Sequence, residues 1–241
     1  MVQTKEILKN FIPSFYKKVS KKDYNAKSFF SLIGGYLVIE FFLVMISISE
    51  NLKSNFSVVS INFKNFVIIS GLVIILLNLL GIFLMKREKT KNISACIAYI
   101  SGIIFLYFVL IVLGFLIENP IKLIVKGSLI LNVLWIVGVL INSILVSLSL
   151  VKNNMNYRDK YANYYINGLS GVAIALAAVS QISDDYNYLY IGCVLILSVL
   201  QIIAVYHIPR VLKYWKKEPE KNENASVYGN SIEMMKKINK K

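Results

Sequence analysis

The chain is poor in the residues on which most protein chemistry is built. It has one histidine, two cysteines, three arginines and four prolines in 241 residues, and only 17% of its residues are charged. One histidine with scattered acids leaves little scope for a general-base or metal constellation. Neither HExxH, CxxC nor a Gly-rich phosphate loop occurs. Cys96 and Cys193 fall at different depths in their apolar runs and lack metal-ligand spacing, so both read as small packing residues without a disulfide. The prolines, at 13, 120, 209 and 219, all avoid the long apolar runs. Paired Pro or Gly breaks of the kind that mark mid-membrane transporter sites are therefore missing.

The hydrophobic residues, 56% of the chain, are in blocks. Six stretches stand out, at about 28–48, 66–85, 93–117, 128–151, 164–182 and 187–207. Each is near the ~20 residues a helix needs to cross a bilayer. The sequence predicts an all-α integral membrane protein, a six-transmembrane-helix bundle over 28–207. A basic amphipathic segment (1–27) precedes it and a basic tail (208–241) follows. The first 27 residues carry seven lysines and no continuous apolar core, so no cleavable signal peptide is expected.

No lysine or arginine lies inside the six runs. Segment by segment they number 7, 2, 4, 2, 3, 0 and 9, so alternate segments hold 23 and the others 4. The positive-inside rule then places both termini in the cytoplasm. The formal net charge of +14 is one-sided in the same way, which argues for attraction to the anionic inner leaflet and against nucleic acid. The abundance of Lys, Asn and Ile suggests a low-GC bacterial genome, hence a bacterial plasma membrane.

Smaller features add detail. In 5–19, Ile7, Leu8, Phe11, Ile12, Phe15 and Val19 share a helical arc, interrupted by Pro13, as an interfacial helix would have. Tyr214 and Trp215, set among lysines, fit an aromatic anchor. A last short helix is expected at 231–241, capped by Ser231. The loop at 49–65 alternates apolar and polar over 56–63, like a short strand.

One ionisable residue breaks the apolar runs. Glu40 stands 13 residues after Lys27 and 10 before Glu50, roughly 20 Å and 15 Å along a helix, near the midplane. A carboxylate there must be neutral, paired or wetted, and Tyr36, one turn earlier, is the nearest candidate partner. Tyr36, Asn78, Ser101, Asn142 and Gln201 fall roughly 9–14 Å from the inner face by helix rise. They read either as interhelical hydrogen-bonding glue or as a polar vestibule ending at Glu40. In span five, Gly168, Gly171, Ala175 and Ala178 recur at three- and four-residue steps, a face for close helix packing within the bundle or in a homo-oligomer.

The same stretch reads Gly-Leu-Ser-Gly at 168–171, with His207 in the following span. It resembles the nucleophile motif of rhomboid intramembrane proteases, in which a helix-borne Gly-x-Ser-Gly is served by a later histidine. That resemblance implies Ser170 as nucleophile and His207 as base. It covers four residues and the histidine; the rhomboid HxxxN element is missing, and "VYHIPR" stands where a Gly-rich context would follow. The expectation is a protein without catalysis and without cofactor or metal. It is read as an interaction subunit, such as a secretion accessory or a toxin-immunity protein meeting a membrane protein or toxin partner. The alternative is a small transporter or channel that uses Glu40 for a proton or cation.

Overall fold

A computed structural model describes residues 4–52, 61–115 and 120–215. Among these the chain is all-helical. Two short helices, α1 (Thr4–Asn10) and α2 (Ser14–Ser20), precede six long ones. These are α3 (Ala26–Leu52), α4 (Ile61–Met85), α5 (Lys91–Phe115), α6 (Pro120–Val151), α7 (Met155–Ser183) and α8 (Tyr186–Tyr206). A final short helix, α9 (Ile208–Leu212), leads into a 3-10 turn at Lys213–Trp215. All six long helices are long and apolar enough to cross a membrane.

The helices overrun the expected spans, most of all α6 with 32 residues and α7 with 29. At 1.5 Å per residue these reach roughly 48 and 44 Å, beyond a hydrocarbon core of about 30 Å. Helix is the cheapest way to satisfy the backbone through the interface, so it does not stop where the apolar run stops. The same overrun converts part of the predicted strand-like loop. Ile61–Asn65 is the start of α4, while 53–60 and the predicted C-terminal helix at 231–241 lie outside the described residues.

Local chemistry sets the turns. Asp184 closes α7 in the left-handed conformation at φ 53°, which Asp tolerates. Asp185 then caps α8, its side chain accepting from the Asn187 amide at 2.9 Å. Asn153 (φ 48°) and the N-cap Asn154 do the same between α6 and α7. Pro209 follows His207 at the start of α9, where its missing N–H costs nothing.

The bundle consists of two trios, α3–α4–α5 and α6–α7–α8, joined where α5 packs on α6 and α8. The first trio buries one core and a second fills the seam. Tyr36, Ile39, Leu43, Val67, Ile75 and Phe108 lie in the first, and Leu110, Leu131, Tyr190, Val194 and Leu197 line the seam between trios. The most extensively packed helix pair is α7 with α8. A Cβ on Gly192 would stand 2.8 Å from the carbonyl oxygen of Ala173, so only glycine permits that approach. Large apolar side chains such as Leu37, Phe41, Leu76, Phe83, Val125 and Ile144 face outward on every side, as lipid-facing residues do.

The N-terminal segment departs from the expectation of one helix lying on the membrane surface. Pro13 splits it into α1 and α2, with Pro13 itself buried. Both short helices dock on the same end of the bundle as α9 and the 86–90 and 152–154 turns, hereafter the lysine-rich end. Leu8 and Phe15 stay exposed there.

Candidate functional site

Glu40 is placed by α3 in the interior of the first trio, 6% exposed. Its carboxyl occupies a notch on α4 left by Gly71, where a Cβ would fall 1.5 Å from Glu40 Oε1. Phe108 of α5 closes the notch from the third side. Neither carboxyl oxygen has a hydrogen-bond partner.

The expected pairing with Tyr36 is not made. A helical side chain leans toward the N-terminus of its own helix, which carries the Tyr36 hydroxyl away from the turn of Glu40. It donates instead to the Ser101 carbonyl at 2.7 Å. Asn78 Nδ2 donates to Ser101 Oγ at 2.6 Å and to its own helix at Ile74 O, 2.9 Å. Tyr36, Asn78 and Ser101 therefore form one cluster at the meeting of α3, α4 and α5, one turn from Glu40 along α3 but two turns from the Gly71 notch along α4 and α5. Two turns further toward the lysine-rich end, Ser94 Oγ donates to the Gly81 carbonyl at 2.8 Å. Ser94 also lines a cleft of about 690 Å³ with Asp23, Tyr24, Glu88, Lys91 and Lys213.

The other two residues of the expected polar layer lie elsewhere. Gln201 Nε2 meets the Tyr107 hydroxyl at 3.2 Å, and that hydroxyl donates to Asn132 Oδ1 at 2.9 Å, joining α8, α5 and α6. Tyr107 is six residues beyond Ser101, so Gln201 meets α5 roughly 9 Å from the level assigned to it by helix rise. Asn142 Nδ2 donates to the Phe11 carbonyl of the N-terminal segment at 2.8 Å. Five residues at one nominal depth thus resolve into three separate groups.

The face Gly168, Gly171, Ala175 and Ala178 is exposed at all four positions, and a Cβ on either glycine would meet nothing within 4 Å. Span five does pack tightly in the bundle, but through its other face, where Ala162, Ala173 and Ser180 are buried. Ser170 Oγ donates to the Ile166 carbonyl of its own helix at 3.0 Å. With Ala173 opposite Gly192, Ser170 stands roughly 18 Å along the axis from the level of His207, so the rhomboid-like pair is not assembled.

The residue that composition counting passed over is Arg158, assigned to a loop by its charge. It lies on α7 and is 1% exposed. Its Nη1 donates to the Asn10 carbonyl, its Nη2 to Ser14 Oγ at 3.3 Å and its Nε to Asp159 Oδ1 at 2.9 Å. Asp159 accepts the Ser14 amide at 3.2 Å. Phe11 and Tyr16 pack their rings against Tyr206, centroids 6.1 and 5.0 Å apart. The signal in the sequence was the type of residue, since arginine is rare here and is the cation suited to a buried fork.

A second clasp holds residues 22–24. Arg210 donates to the Lys22 and Asp23 carbonyls at 3.0 and 2.7 Å and stacks 4.0 Å over the Tyr24 ring. Lys213 and the Tyr214 hydroxyl both reach Asp23 Oδ1, and the Tyr24 amide donates to Tyr214 at 2.9 Å. The hydrogen bond from Lys213 holds the Asp23 carboxyl below the ordinary carboxylate range. A depressed folded value means that the stabilisation is complete above the unfolded pKa of about 3.9 and is lost as pH falls through the folded one. Asp23 is well exposed, so the effect is modest. Protection of the Tyr24 amide, its exchange rate corrected for the intrinsic rate at each pH, is expected to fall on acidification below that range and to stay flat from there to neutral pH. Loss of protection on the alkaline side instead would contradict this account.

Compared with protein-family models, curated proteins and solved structures, the chain matches none.

Proposed function

We propose that this chain is a non-enzymatic multi-pass membrane protein, lysine-rich end in the cytoplasm, that serves as an interaction subunit. Its α7 receives a helix of a partner membrane protein. The observation that carries this reading is an inversion. α7 is the least apolar of the six long helices, yet 11% of its most apolar stretch is buried, against 22–44% for the others. Lipid solvates small and polar residues poorly, and a neighbouring helix accommodates them well.

The exposed face has the pattern of a helix seam. Tyr161, Tyr164, Gly168, Gly171, Ala175, Ala178 and Ile182 follow alternating steps of three and four. That spacing favours a left-handed crossing, with tyrosines at the lysine-rich end and small residues where backbones would come closest. The orientation is supported by the 23-to-4 partition of basic residues and by the docking of both described ends on one side. A bacterial plasma membrane is the setting, and a secretion accessory or an immunity protein is the class of role that such a subunit fits.

Site-specific photocrosslinking tests the proposal in native membranes. A photoreactive residue at Gly171 or Ala175 is expected to capture a protein, and one at Leu76, on the lipid-facing side of α4, only lipid. Mass spectrometry of the adduct distinguishes a different membrane protein from a second copy of this chain. Lipid adducts alone at all three positions would refute the reading.

A further inference from the structure

We propose that Glu40, seated in the Gly71 notch, is a proton-binding site reached from the lysine-rich end along the interior of the α3–α4–α5 trio. It is independent of the α7 seam. The carboxyl is more than nine-tenths buried and both its oxygens are without a partner. The buried residues of the surrounding core, Leu43, Val67, Ile75 and Phe108, are apolar. A metal cation needs several oxygens at once, and this pocket offers one carboxyl. A proton needs only that carboxyl, and it removes the charge that an apolar position penalises.

The ionisable groups facing the site are few. On α3, Tyr36 lies one turn away with its hydroxyl engaged by α5. On α4, Lys64 stands two turns away toward the opposite end, beside a small gap lined by Leu43, Ser47 and Phe115. On α5, the groups on this face are Ser94 and Ser101, and among the described residues no ionisable one.

A path is laid out on one side only. Ser94 stands at the edge of the cleft at the lysine-rich end, where Asp23, Glu88 and Lys91 supply exchangeable protons. Two turns deeper lie Asn78 and Ser101, and Asn78 Oδ1 is a buried acceptor with no partner. Glu40 is two turns beyond them along α4 and α5, past the Tyr36 ring and Ile75. Toward the opposite end, Leu43, Val67 and Phe115 fill the interior. The arrangement is a half-path: polar steps from one face to within two turns of the carboxyl, and an apolar interior beyond it.

Infrared difference spectroscopy of the full chain in oriented vesicles tests this, wild type against Glu40→Gln. The expected result is the carbonyl band of a protonated carboxyl at neutral pH, lost in the variant. In Glu40→Asp the band shifts, which keeps the assignment available should Glu40→Gln fail to fold. A carboxylate signature for Glu40 at neutral pH would overturn the proposal. With the band identified, the pH bathing the lysine-rich face is expected to control it. Control from the opposite face would overturn the path.

Discussion

Arg158→Leu is expected to release α1 and α2 (residues 4–20) from the bundle and to lower stability by about 3 kcal/mol, the low end of the range for breaking a buried charged pair. The low end applies because Asp159 keeps some exposure while Arg158 is sealed. Leucine fills the volume, so the loss is of hydrogen bonds, not packing. The Asn10 carbonyl and the Ser14 hydroxyl lose their donor together, and Asp159 loses its counter-charge. Arg158→Lys is expected to recover only part, because an ammonium cannot reach carbonyl, hydroxyl and carboxylate with a planar fork. Thermal denaturation in mild detergent reads the stability. Trypsin cleavage after Lys17 and Lys18 reads the release. An unchanged midpoint with unchanged cleavage would mean that the N-terminal segment is held by something other than this clasp.

Two glycine substitutions of identical chemistry are expected to have opposite signs. Gly192→Ala puts a methyl 2.8 Å from the Ala173 carbonyl oxygen. That neighbour is backbone within the most extensively packed helix pair of the bundle, so α7 and α8 must separate, at about 1–3 kcal/mol as for other overpacked sites. Gly171→Ala meets nothing within 4 Å. It is expected to gain up to about 1 kcal/mol, the helix-propensity difference between the two residues. The measurement is the unfolding equilibrium of each variant in the same bicelles. Stabilisation by Gly192→Ala would mean that the helices are further apart than described. A loss at Gly171 in the isolated chain would mean that its face is occupied within the protein itself.

The contrast between those glycines marks where sequence reasoning stops. Spacing identified Gly168, Gly171, Ala175 and Ala178 as one face of a helix, which follows from 3.6 residues per turn. It could not say which way the face turns, because a helix in lipid carries no polar-outside rule to orient it. Depth counting failed in a related way. It ranked Asn142, Gln201 and Ser101 together from span edges, but helices overrun their apolar stretches by different lengths, and side chains of different reach then meet at other levels. The burial of Glu40 was legible, since a charge within an apolar run has few alternatives. That Tyr36 leaves it unpaired was not, because the lean of a tyrosine toward its own N-terminus decides which carbonyl it finds.

Composition and order alone determined the solvent of this protein, the number of its membrane-length helices and the gathering of its cations. Those properties depend on transfer free energies that add up along a chain whatever its neighbours do. Only the tertiary arrangement decided that Arg158 is sealed beneath the N-terminal helices, that Glu40 faces Gly71 and that the glycine face of α7 is left bare. Each of these depends on the rotation of one helix against another, and that is fixed by the fit of side chains distant in sequence.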